Sequence, residues 1–309
     1  MKKPRIVVVG SVNADMVIKS RRIPAPGETV TGGEFVMAAG GKGANQAVAA
    51  ARLGAEVTLV AKVGQDALGD AAIEGYRKEG IRTDCIFRDP QQPTGVALIM
   101  VDQQGENLIS VASGANHCLS PAEVDRAREF LRAADMLLVQ LEIPMETVCH
   151  AAALAAEAGV PVMLNPAPAA PLDDRLLRLV TWLTPNESET QRLTGLAVAD
   201  EASAALAAAR LLAGGVRQVV VTLGARGALL CHAGGATMIP GYRVEAVDST
   251  AAGDAFNGAL ACALARGQSG EEAVRQAHLA AAFSVTRLGA QPSLPTAEQL
   301  QQFQSRVEG

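Results

Sequence analysis

Short apolar runs rich in β-branched residues alternate along the chain with alanine-rich runs of helical character. The apolar runs predict strands at Ile6–Val9, Val57–Val60, Met136–Leu141, Val160–Leu164 and Val219–Leu223. The alanine-rich runs predict helices at Ala44–Leu53, Ala67–Glu79, Met145–Ala158, Ser203–Ala213, Gly253–Ala265 and Glu271–Thr286. Nearly continuous apolar strands that alternate with helices are typical of a parallel sheet covered on both faces. The pattern therefore predicts an α/β fold.

Two segments interrupt this alternation. Residues 11–42 are polar and rich in glycine and proline, whereas residues 94–112 contain two predicted strands, Gly95–Val101 and Leu108–Val111, around a Gln-Gln-Gly turn. We interpret the two segments as a small β lid attached to the α/β body. No internal repeat or low-complexity linker divides the chain, so we expect residues 1–309 to form a single domain.

The composition narrows the compartment and the class of partner. The 309 residues include 27 basic and 32 acidic ones, and a formal net charge of −5 does not favour a nucleic-acid partner. The five cysteines are widely spaced and form no C-x-x-C pair, so we expect neither a disulfide framework nor a zinc site. The apolar run near the N-terminus is too short for a signal peptide, and no stretch approaches the roughly 18 apolar residues of a membrane span. These features favour a reducing, cytoplasmic environment.

A glycine-rich segment, Gly40–Asn45, opens the first predicted helix. Its glycines would allow backbone N–H groups to approach a ligand, and a helix N-terminus favours anionic or oxygen-rich groups. Lys42 and Asn45 add side-chain donors. An ordinary glycine-rich turn into a helix would explain the same letters, and the segment does not have the spacing of a P-loop.

A polar segment, Ser11–Asp15, directly follows the first predicted strand. Ligands of open α/β sheets bind beyond the carboxyl ends of the strands. Asn13 and Asp15 are short polar side chains at such an end, which suits sugar hydroxyl groups. Both residue types also form ordinary turns.

The segment Asp248–Phe256 carries the most specific motif, Ala-Ala-Gly-Asp at the start of a predicted helix. The free N–H groups of residues 251–254 would face a developing phosphoryl charge, which makes them a candidate anion hole. Asp254 beside this anion hole could accept the proton of an attacking hydroxyl group. An acidic residue in the first turn also stabilises a helix without any catalytic role.

Two further segments have weaker signals. Thr222–Gly227 follows a predicted strand and suits a loop under nucleotide phosphates, although a β-turn would look the same. Asn186 and Glu189 are three residues apart and share a helical face, where a carboxylate and an amide suit a hydrated magnesium ion. A simple helix cap is the alternative for this pair.

In this order along the chain, the motifs resemble those of the carbohydrate kinase family that includes ribokinases, fructokinases and adenosine kinases. Gly40–Asn45 and Asp248–Asp254 match two signatures of that family. Asn165–Ala169 and Thr184–Glu187 are similar to segments of its ribokinase branch. The resemblance runs from Ile6 to about Ser293, essentially the whole chain.

The resemblance implies a three-layer α/β body with a β lid that pairs two subunits into a homodimer. It implies ATP-dependent phosphorylation of ribose at the 5-hydroxyl group, with Asp254 as the base and magnesium held by Glu189 through water. The implied sugar contacts are Asn13, Ala14, Asp15, Gly41, Lys42, Gly43, Ala44, Asn45, Glu142 and Asp254. The implied ATP contacts are Asn186, Thr222, Leu223, Gly224, Ala225, Arg226, Gly227, Gly253, Asp254 and His278.

A potassium ion is also implied, with several of its ligands being backbone carbonyl oxygens. The implied potassium residues are Asp248, Thr250, Ser284, Arg287, Gly289 and Ser293. The implied anion hole consists of Ala251, Ala252, Gly253 and Asp254. Ser249 and Thr250 depart from the residues that the family more often has there, which leaves the cation affinity open.

Three other functions are compatible with parts of this pattern. One is a kinase for deoxyribose, fructose or a nucleoside, although six Phe, two Tyr and one Trp offer little for stacking a nucleobase. Another is a non-catalytic sugar-binding protein on the same fold, against which the retained Asp254 argues. A dinucleotide-dependent dehydrogenase is disfavoured, since no G-x-G-x-x-G follows the first strand.

Overall fold

The computed structural model describes residues 3–307, and within them the backbone forms thirteen strands and eleven α-helices. The strands are β1 (Arg5–Val9), β2 (Asn13–Lys19), β3 (Glu34–Gly40), β4 (Glu56–Gly64), β5 (Ile86–Asp89), β6 (Gly95–Val101), β7 (Asn107–Ala112), β8 (Met136–Val139), β9 (Val162–Leu164), β10 (Trp182–Leu183), β11 (Gln218–Thr222), β12 (Gly227–His232) and β13 (Gly235–Pro240).

The helices are α1 (Lys42–Arg52), α2 (Ala67–Lys78), α3 (Pro121–Asp125), α4 (Arg128–Ala133), α5 (Met145–Glu157), α6 (Asp174–Leu179), α7 (Glu187–Thr194), α8 (Glu201–Ala213), α9 (Ala252–Ala265), α10 (Gly270–Val285) and α11 (Ala297–Val307). Six of the helices, α1, α2, α5, α8, α9 and α10, correspond to the predicted alanine-rich runs, with ends that differ by at most two residues. Short 3-10 helices lie at Gly114–Cys118, Gly224–Arg226 and Gln291–Ser293.

The central sheet has nine strands in the order β13-β12-β11-β10-β9-β8-β1-β4-β5. The strands from β11 to β5 in this order pair in parallel, and β12 and β13 add an antiparallel edge. The predicted mainly parallel sheet is therefore confirmed. The antiparallel edge was not predicted, because β12 and β13 are joined by a tight turn without an intervening helix.

Helices cover both faces of this sheet, and β1 shows why. Its side chains alternate: Ile6 and Val8 lie in one buried apolar cluster, whereas Val7 and Val9 lie in the other. The first cluster also contains apolar residues of α1, α2, α9 and α10, and the second contains those of α3, α4, α5, α6 and α8. Burial on both faces explains the continuous apolar sequence of the strand and confirms a three-layer α/β architecture.

A second, smaller sheet has the order β3-β2-β6-β7. Its strands come from the two segments, 11–42 and 94–112, that interrupt the sequence pattern. β2 and β6 pair in parallel, and β3 and β7 form antiparallel edges. That this sheet moves as a lid stays a prediction.

The parallel strands bring their carboxyl ends to one edge of the central sheet, where polar residues follow them. Ser11 follows β1, Glu142 follows β8 and Asn165 follows β9. This edge is where ligands bind in open α/β sheets. Within residues 3–307, no helix combines the length and the apolar character needed to cross a membrane.

Candidate active site

The carboxylate of Asp254 lies at the centre of the polar edge, in the first turn of α9, with only 6% of the residue exposed. Two amide groups of α1 hold it. Asn45 Nδ2 donates to Asp254 Oδ2 (2.9 Å), and Gln46 Nε2 donates to Asp254 Oδ1 (3.0 Å). Each carboxylate oxygen thus has one donor, which fixes the plane of the group and leaves lone pairs for a further proton donor.

Burial and charge act on Asp254 in opposite directions. Burial raises its pKa above the ordinary value, while Lys42 and the amides of Asn45 and Gln46 oppose that rise. Burial alone would lower the pKa of Lys42, but Asp254, Glu142 and Glu189 outweigh it, so that the pKa of this lysine is raised. Lys42 therefore remains a cation beside the buried carboxylate. A carboxyl group with a raised pKa in a cleft is typical of a general base.

The first turn of α9 has backbone N–H groups that face the same region. Ala251, the residue before the helix, has a φ of 60°, a left-handed conformation that is unusual for alanine. The N–H of Ala252 donates to the carbonyl of Ser249 (3.2 Å), whereas within the described chain the N–H groups of Gly253 and Asp254 have no acceptor. The N–H of Ala252 thus already has an acceptor within the chain, and the role of residues 251–254 as an anion hole stays a prediction.

Glu142 supports the start of α1. Its Oε2 accepts hydrogen bonds from the backbone N–H of Lys42 (3.0 Å) and from the hydroxyl of Ser11 (2.5 Å). The Ser11 hydroxyl in turn accepts from the N–H of Gly43 (3.2 Å). A carboxylate at this position stabilises a helix N-terminus. Glu142 therefore has a structural partner in addition to its expected sugar contact.

Close packing of two backbone segments requires a glycine at position 43. A Cβ atom there would lie 2.5 Å from the backbone nitrogen of Ser11. From the sequence, close approach of a ligand was the expected reason for the glycines of this segment. At Gly43 the structure shows instead that the backbone of α1 lies against the loop after β1, which holds the motif Gly40–Asn45 next to Ser11–Asp15.

Asn13 and Asp15 lie on β2, next to these groups. Asn13 is buried, and its Oδ1 accepts from Asn116 Nδ2 (2.8 Å), so that its own amide nitrogen is turned to the other side. Burial, followed by the charges of Glu142 and Asp254, raises the pKa of Asp15 to about 6, against an opposing effect of Lys42. A carboxyl group whose pKa is raised by burial and by two neighbouring carboxylates is typical of a site for a polar ligand rather than of a stabilising contact.

A cavity of about 210 Å³ opens beside Asp254. Its lining comes from the carboxyl ends of the central strands and from the N-termini of α1, α7 and α9. The lining residues are Lys42, Asn165, Ala167, Thr184, Asn186, Glu189, Thr222, Ser249, Ala251, Ala252, Gly253, Asp254 and Asn257. The cavity thus joins the Asp254 carboxylate, the free amides and part of the segments expected to bind a nucleotide.

Asn186 and Glu189 form a capping box at the start of α7. Asn186 Oδ1 accepts from the N–H of Glu189 (2.8 Å), and Glu189 Oε2 accepts from the N–H of Asn186 (2.9 Å). The structural alternative for this pair is therefore realised, although both residues also line the cavity. Burial raises the pKa of Glu189. Within residues 3–307, no group of three or more His, Cys, Asp or Glu side chains could hold a metal ion.

Thr222–Gly227 forms the turn between β11 and β12. Thr222 pairs with Asn186 in an isolated bridge and lines the cavity. Arg226 forms an ion pair with Glu187 and donates to the carbonyl of Ala199 (3.1 Å). Leu223, Gly224, Ala225, Arg226 and Gly227 do not line the cavity.

His278 is separate from the cavity, in the middle of α10. Its ring packs edge-on against Phe256, with the centroids 5.1 Å apart. Burial lowers the pKa of His278 to about 4, and its Nε2 has no hydrogen-bond partner among the described residues. The imidazole is thus neutral at physiological pH, and its contact with a nucleotide stays a prediction.

The segments expected to hold potassium meet at Asp248. Asp248 Oδ1 accepts from the N–H of Thr250 (2.9 Å), and Oδ2 accepts from the N–H of Gly289 (2.8 Å). Burial opposes ionisation, but these hydrogen bonds dominate and lower the pKa of Asp248. Ser284 and Ser293 are fully buried. A single carboxylate suits a monovalent ion better than a divalent one, and potassium next to Asp248 stays a prediction.

Arg287 has a different environment from the other expected potassium residues. Its guanidinium carbon lies 3.6 Å from the centroid of the Phe283 ring. Burial, followed by the charge of Arg306, lowers the pKa of Arg287. A cationic side chain cannot donate electrons to a cation, so any contribution of this residue would come from its backbone carbonyl.

The model of the pfkB family of carbohydrate kinases matches residues 3–297. The chain belongs to this family. The pfkB-family assignment agrees with the sequence resemblance.

Proteins that are similar to this chain include ribokinases and a deoxyribokinase. A ribokinase of Haemophilus influenzae is 46% identical over 298 residues, which cover 96% of this chain and 97% of the relative. A deoxyribokinase of Salmonella typhi is 39% identical, with 98% of this chain and 99% of the relative covered. The structure of Arabidopsis thaliana ribokinase complexed with ribose and ATP has a TM-score of 0.90 at 35% identity, with 98% and 99% covered.

Several polar residues of this pfkB-family site were not found from the sequence. Gln46, Gln140 and Asn165 are buried and hydrogen-bonded around Asp254. Asn116 holds the backbone of Val12 through both ends of its amide (2.8 and 2.9 Å). The available signal was a glutamine inside the alanine-rich run of α1, where a polar residue must bury its amide and therefore needs partners.

Proposed function

We propose that the chain transfers the γ-phosphoryl group of ATP to the 5-hydroxyl group of ribose, with Asp254 as general base. The observation that carries this proposal is the buried Asp254 carboxylate held between Asn45 and Gln46, next to the free N–H groups of Gly253 and Asp254. The similarity to the ribokinase of Haemophilus influenzae supports ribose as the sugar.

The proposed reaction requires one proton acceptor and an anion-binding surface. Asp254 accepts the proton of the sugar hydroxyl, whose oxygen forms the new bond to the γ-phosphorus while the bond to the leaving β-phosphate oxygen breaks and ADP departs. The backbone amides of residues 251–254, above all the free ones of Gly253 and Asp254, and the charge of Lys42 stabilise the negative charge on the transferred group. Bound magnesium would supply charge neutralisation of the phosphates, with Glu189 as its protein partner through water.

The nucleotide and the sugar would occupy neighbouring parts of the polar edge. Asn186, Thr222 and Gly253 line the cavity beside Asp254, which supports a nucleotide position there with its phosphates toward the N-terminus of α9. We propose that the remainder of Thr222–Gly227 and His278 contact the nucleotide farther from the phosphates. The sugar would lie between Asp254 and β2, in contact with Asn13, Ala14, Asp15, the residues from Gly41 to Asn45, and Glu142.

Deoxyribose is the second candidate substrate, because a Salmonella typhi deoxyribokinase is 39% identical to this chain. We expect ribose to be preferred. The Asn13 amide is buried, and its nitrogen has no acceptor within residues 3–307, so it would be left unpaired by a sugar that lacks the hydroxyl it meets. An unmet buried polar group costs roughly 1–3 kcal/mol, which corresponds to about 5- to 150-fold in kcat/KM.

The measurement is kcat/KM for ribose and for 2-deoxyribose, with ATP and magnesium, in the native protein and in Asn13→Ala. The native protein should prefer ribose, and the variant should lose most of that preference. Equal values for the two sugars in the native protein would contradict ribose as the specific substrate. An unchanged ratio in the variant would remove Asn13 as the cause, and absence of ATP consumption with either sugar would favour a non-catalytic protein.

We further propose that potassium binds next to Asp248 and raises the turnover. Asp248 joins Thr250 to Gly289 and lies three residues before Ala251, so a cation there would order the loop that carries the anion hole. Turnover in potassium should exceed turnover in a large organic cation at equal ionic strength several-fold. Equal rates in the two salts would contradict this proposal.

A homodimer through the four-stranded sheet is our proposal for the assembly. Cross-strand register puts Met37, Met16 and Leu98 in one row and Phe35, Ile18 and Met100 in the next, on the face opposite to Asp15. Phe35, Met37 and Leu98 are 61%, 55% and 55% exposed, an apolar surface that a second copy would cover.

Sedimentation should therefore give a dimer at micromolar concentration, and the double substitution Met37→Glu and Leu98→Glu should give a monomer. Leu206→Glu is the matched control, because Leu206 is equally exposed, at 63%, but lies on α8. A monomeric native protein would contradict the proposed dimer.

The five cysteines are free, which supports a reducing, cytoplasmic location.

A further inference from the structure

Gln46 is a fully buried glutamine that directly contacts the carboxylate of Asp254. Its Nε2 donates to Asp254 Oδ1 (3.0 Å) and to Asn165 Oδ1 (3.1 Å), so both amide hydrogens are used. Its Oε1 accepts from Gln140 Nε2 (2.5 Å). Gln140 is fully buried too, on the opposite side of Gln46 from Asp254.

These partners allow one orientation of the Gln46 amide. Asn165 Nδ2 donates to the carbonyl of Thr184 (3.3 Å), which turns Asn165 Oδ1 toward Gln46 and requires a donor there. On the other side, Gln140 Nε2 donates to Gln46 Oε1, so the oxygen end of the Gln46 amide also has its partner in this orientation. Reversal of the Gln46 amide would place its oxygen against both Asn165 Oδ1 and Asp254 Oδ1. The amide is thus held with its donor toward the carboxylate.

The charged groups around Asp254 do not provide this orientation. Lys42 is the cation that favours its ionised form, and Glu142 disfavours that form. The carboxylates of Asp15 and Glu189 also interact with Asp254 electrostatically. Three carboxylates against one lysine leave the buried base short of positive charge. The Gln46 amide is a neutral hydrogen-bond donor that cannot reverse, and it supplies part of the stabilisation that the ionised Asp254 carboxylate lacks.

We propose that Gln46, locked by Gln140 and Asn165, is a positioning residue that keeps the Asp254 carboxylate ionised and correctly oriented for proton transfer. This inference rests on the proposed function of Asp254 as the base. Gln46 itself touches neither the transferred group nor any residue expected to bind the nucleotide, other than Asp254. Its effect should therefore appear in the titration of the base and in kcat rather than in the affinity for the sugar.

The test is Gln46→Met, which keeps the length of the side chain and removes the donor. Loss of a hydrogen bond to the charged form raises the pKa of Asp254, so the acid limb of the rate profile should move up by about one pH unit. Below that limb, kcat should fall about tenfold, while KM for ribose changes by less than about threefold. An acid limb at the native position in folded Gln46→Met would overturn the inference.

Gln140→Met is the second variant, and it tests the lock without touching Asp254. Its shift should have the same direction and be smaller, because the freed Gln46 amide still donates for part of the time. The double variant should show no larger shift than Gln46→Met alone, since Gln140 acts only through Gln46. Additive shifts in the double variant would contradict this relay.

Thr147→Val is the matched control. Thr147 is fully buried, its hydroxyl donates to the carbonyl of Leu119 (2.6 Å), and neither residue lines the cavity. The control should lower the melting temperature without moving the acid limb. If Gln46 were only structural, Gln46→Met would behave in the same way.

A readout that needs no turnover separates this inference from the proposed function. The protein can be labelled with ¹³C at the carboxyl carbons of aspartate, and the Asp254 signal identified by its loss in Asp254→Asn. Its titration midpoint should rise by about one pH unit in Gln46→Met. A native protein that is inactive on ribose would contradict the proposed function alone, whereas an unmoved midpoint would overturn the role of Gln46.

Discussion

Asp254→Asn is expected to lose about 10²- to 10⁴-fold in kcat while it keeps its fold and its affinity for ribose. The amide has nearly the size of the carboxylate but cannot accept the hydroxyl proton. Both carboxylate oxygens accept from amides, from Asn45 and from Gln46, so one of those donors would face the new NH₂ group. The loss of a buried charge offsets part of this mismatch, since burial disfavours the ionised carboxyl.

Turnover of ribose with ATP, ribose binding by calorimetry and thermal unfolding test this prediction together. Asp174→Asn is the matched control, because Asp174 is also an acidic residue in the first turn of a helix, α6, but is exposed and outside the cavity. The control should keep native turnover. Near-native turnover of a folded Asp254→Asn protein would reject Asp254 as the base, and loss of ribose binding would show a role in affinity instead.

Gly258→Ala is expected to reduce both stability and turnover, although it is a favourable substitution in an isolated helix. Gly258 lies where α9 crosses α1. A Cβ atom there would be 2.5 Å from Ala49 Cβ and 2.9 Å from the carbonyl oxygen of Gln46. These are atoms of a second helix, so α1 and α9 must separate. Overpacking of this kind costs about 1–3 kcal/mol, more than the roughly 1 kcal/mol gained from helix propensity.

The separation matters for catalysis because the base and its two donors lie on different helices. Asp254 belongs to α9, whereas Asn45 and Gln46 belong to α1. A shift of a few tenths of an ångström at Gly258 lengthens both hydrogen bonds to the carboxylate, and we expect kcat to fall by at least about tenfold. The expected stability loss and the rate loss thus have one geometric cause.

Gly75→Ala is the control for this substitution. Gly75 is also inside a helix, α2, but a Cβ atom there would meet no atom within 4 Å. This variant should gain up to about 1 kcal/mol in the free energy of unfolding and keep native turnover. Denaturant unfolding and kcat of both variants are the measurements. A stabilised, fully active Gly258→Ala protein would refute close packing as the reason for this glycine.

Much of the fold could be predicted from local sequence. The two faces of β1 each pack into a core, so its residues are all apolar, and the run Ile6–Val9 was recognisable without a structure. Gly54 and Gly80, which follow predicted helices, have φ values of 92° and 74°, as helix-ending glycines should. The edge strands of the central sheet were harder to predict. β12 and β13 form an antiparallel hairpin, and local periodicity does not report the direction of a neighbouring strand.

The candidate site was predicted in part. Asp254, Lys42 and Asn45 stood out because they interrupt glycine- and alanine-rich segments at helix starts. The segment Thr222–Gly227 was predicted as a whole, yet only Thr222 lines the cavity. For Asn186 and Glu189, helix capping and ligand contact need the same residue types, so sequence could not separate them, and the structure shows the capping box.

The sequence by itself determined the layers of the fold and the chemical groups at the starts of α1 and α9, because strand alternation, helix termini and turn residues depend on neighbours within a few positions. Tertiary structure alone decided which distant groups meet. Asn45 and Asp254 are 209 residues apart, and Gln46 and Gln140 are 94 apart. A buried amide in an alanine-rich helix reveals that it needs a partner but not which one, since the partner is selected by packing between elements.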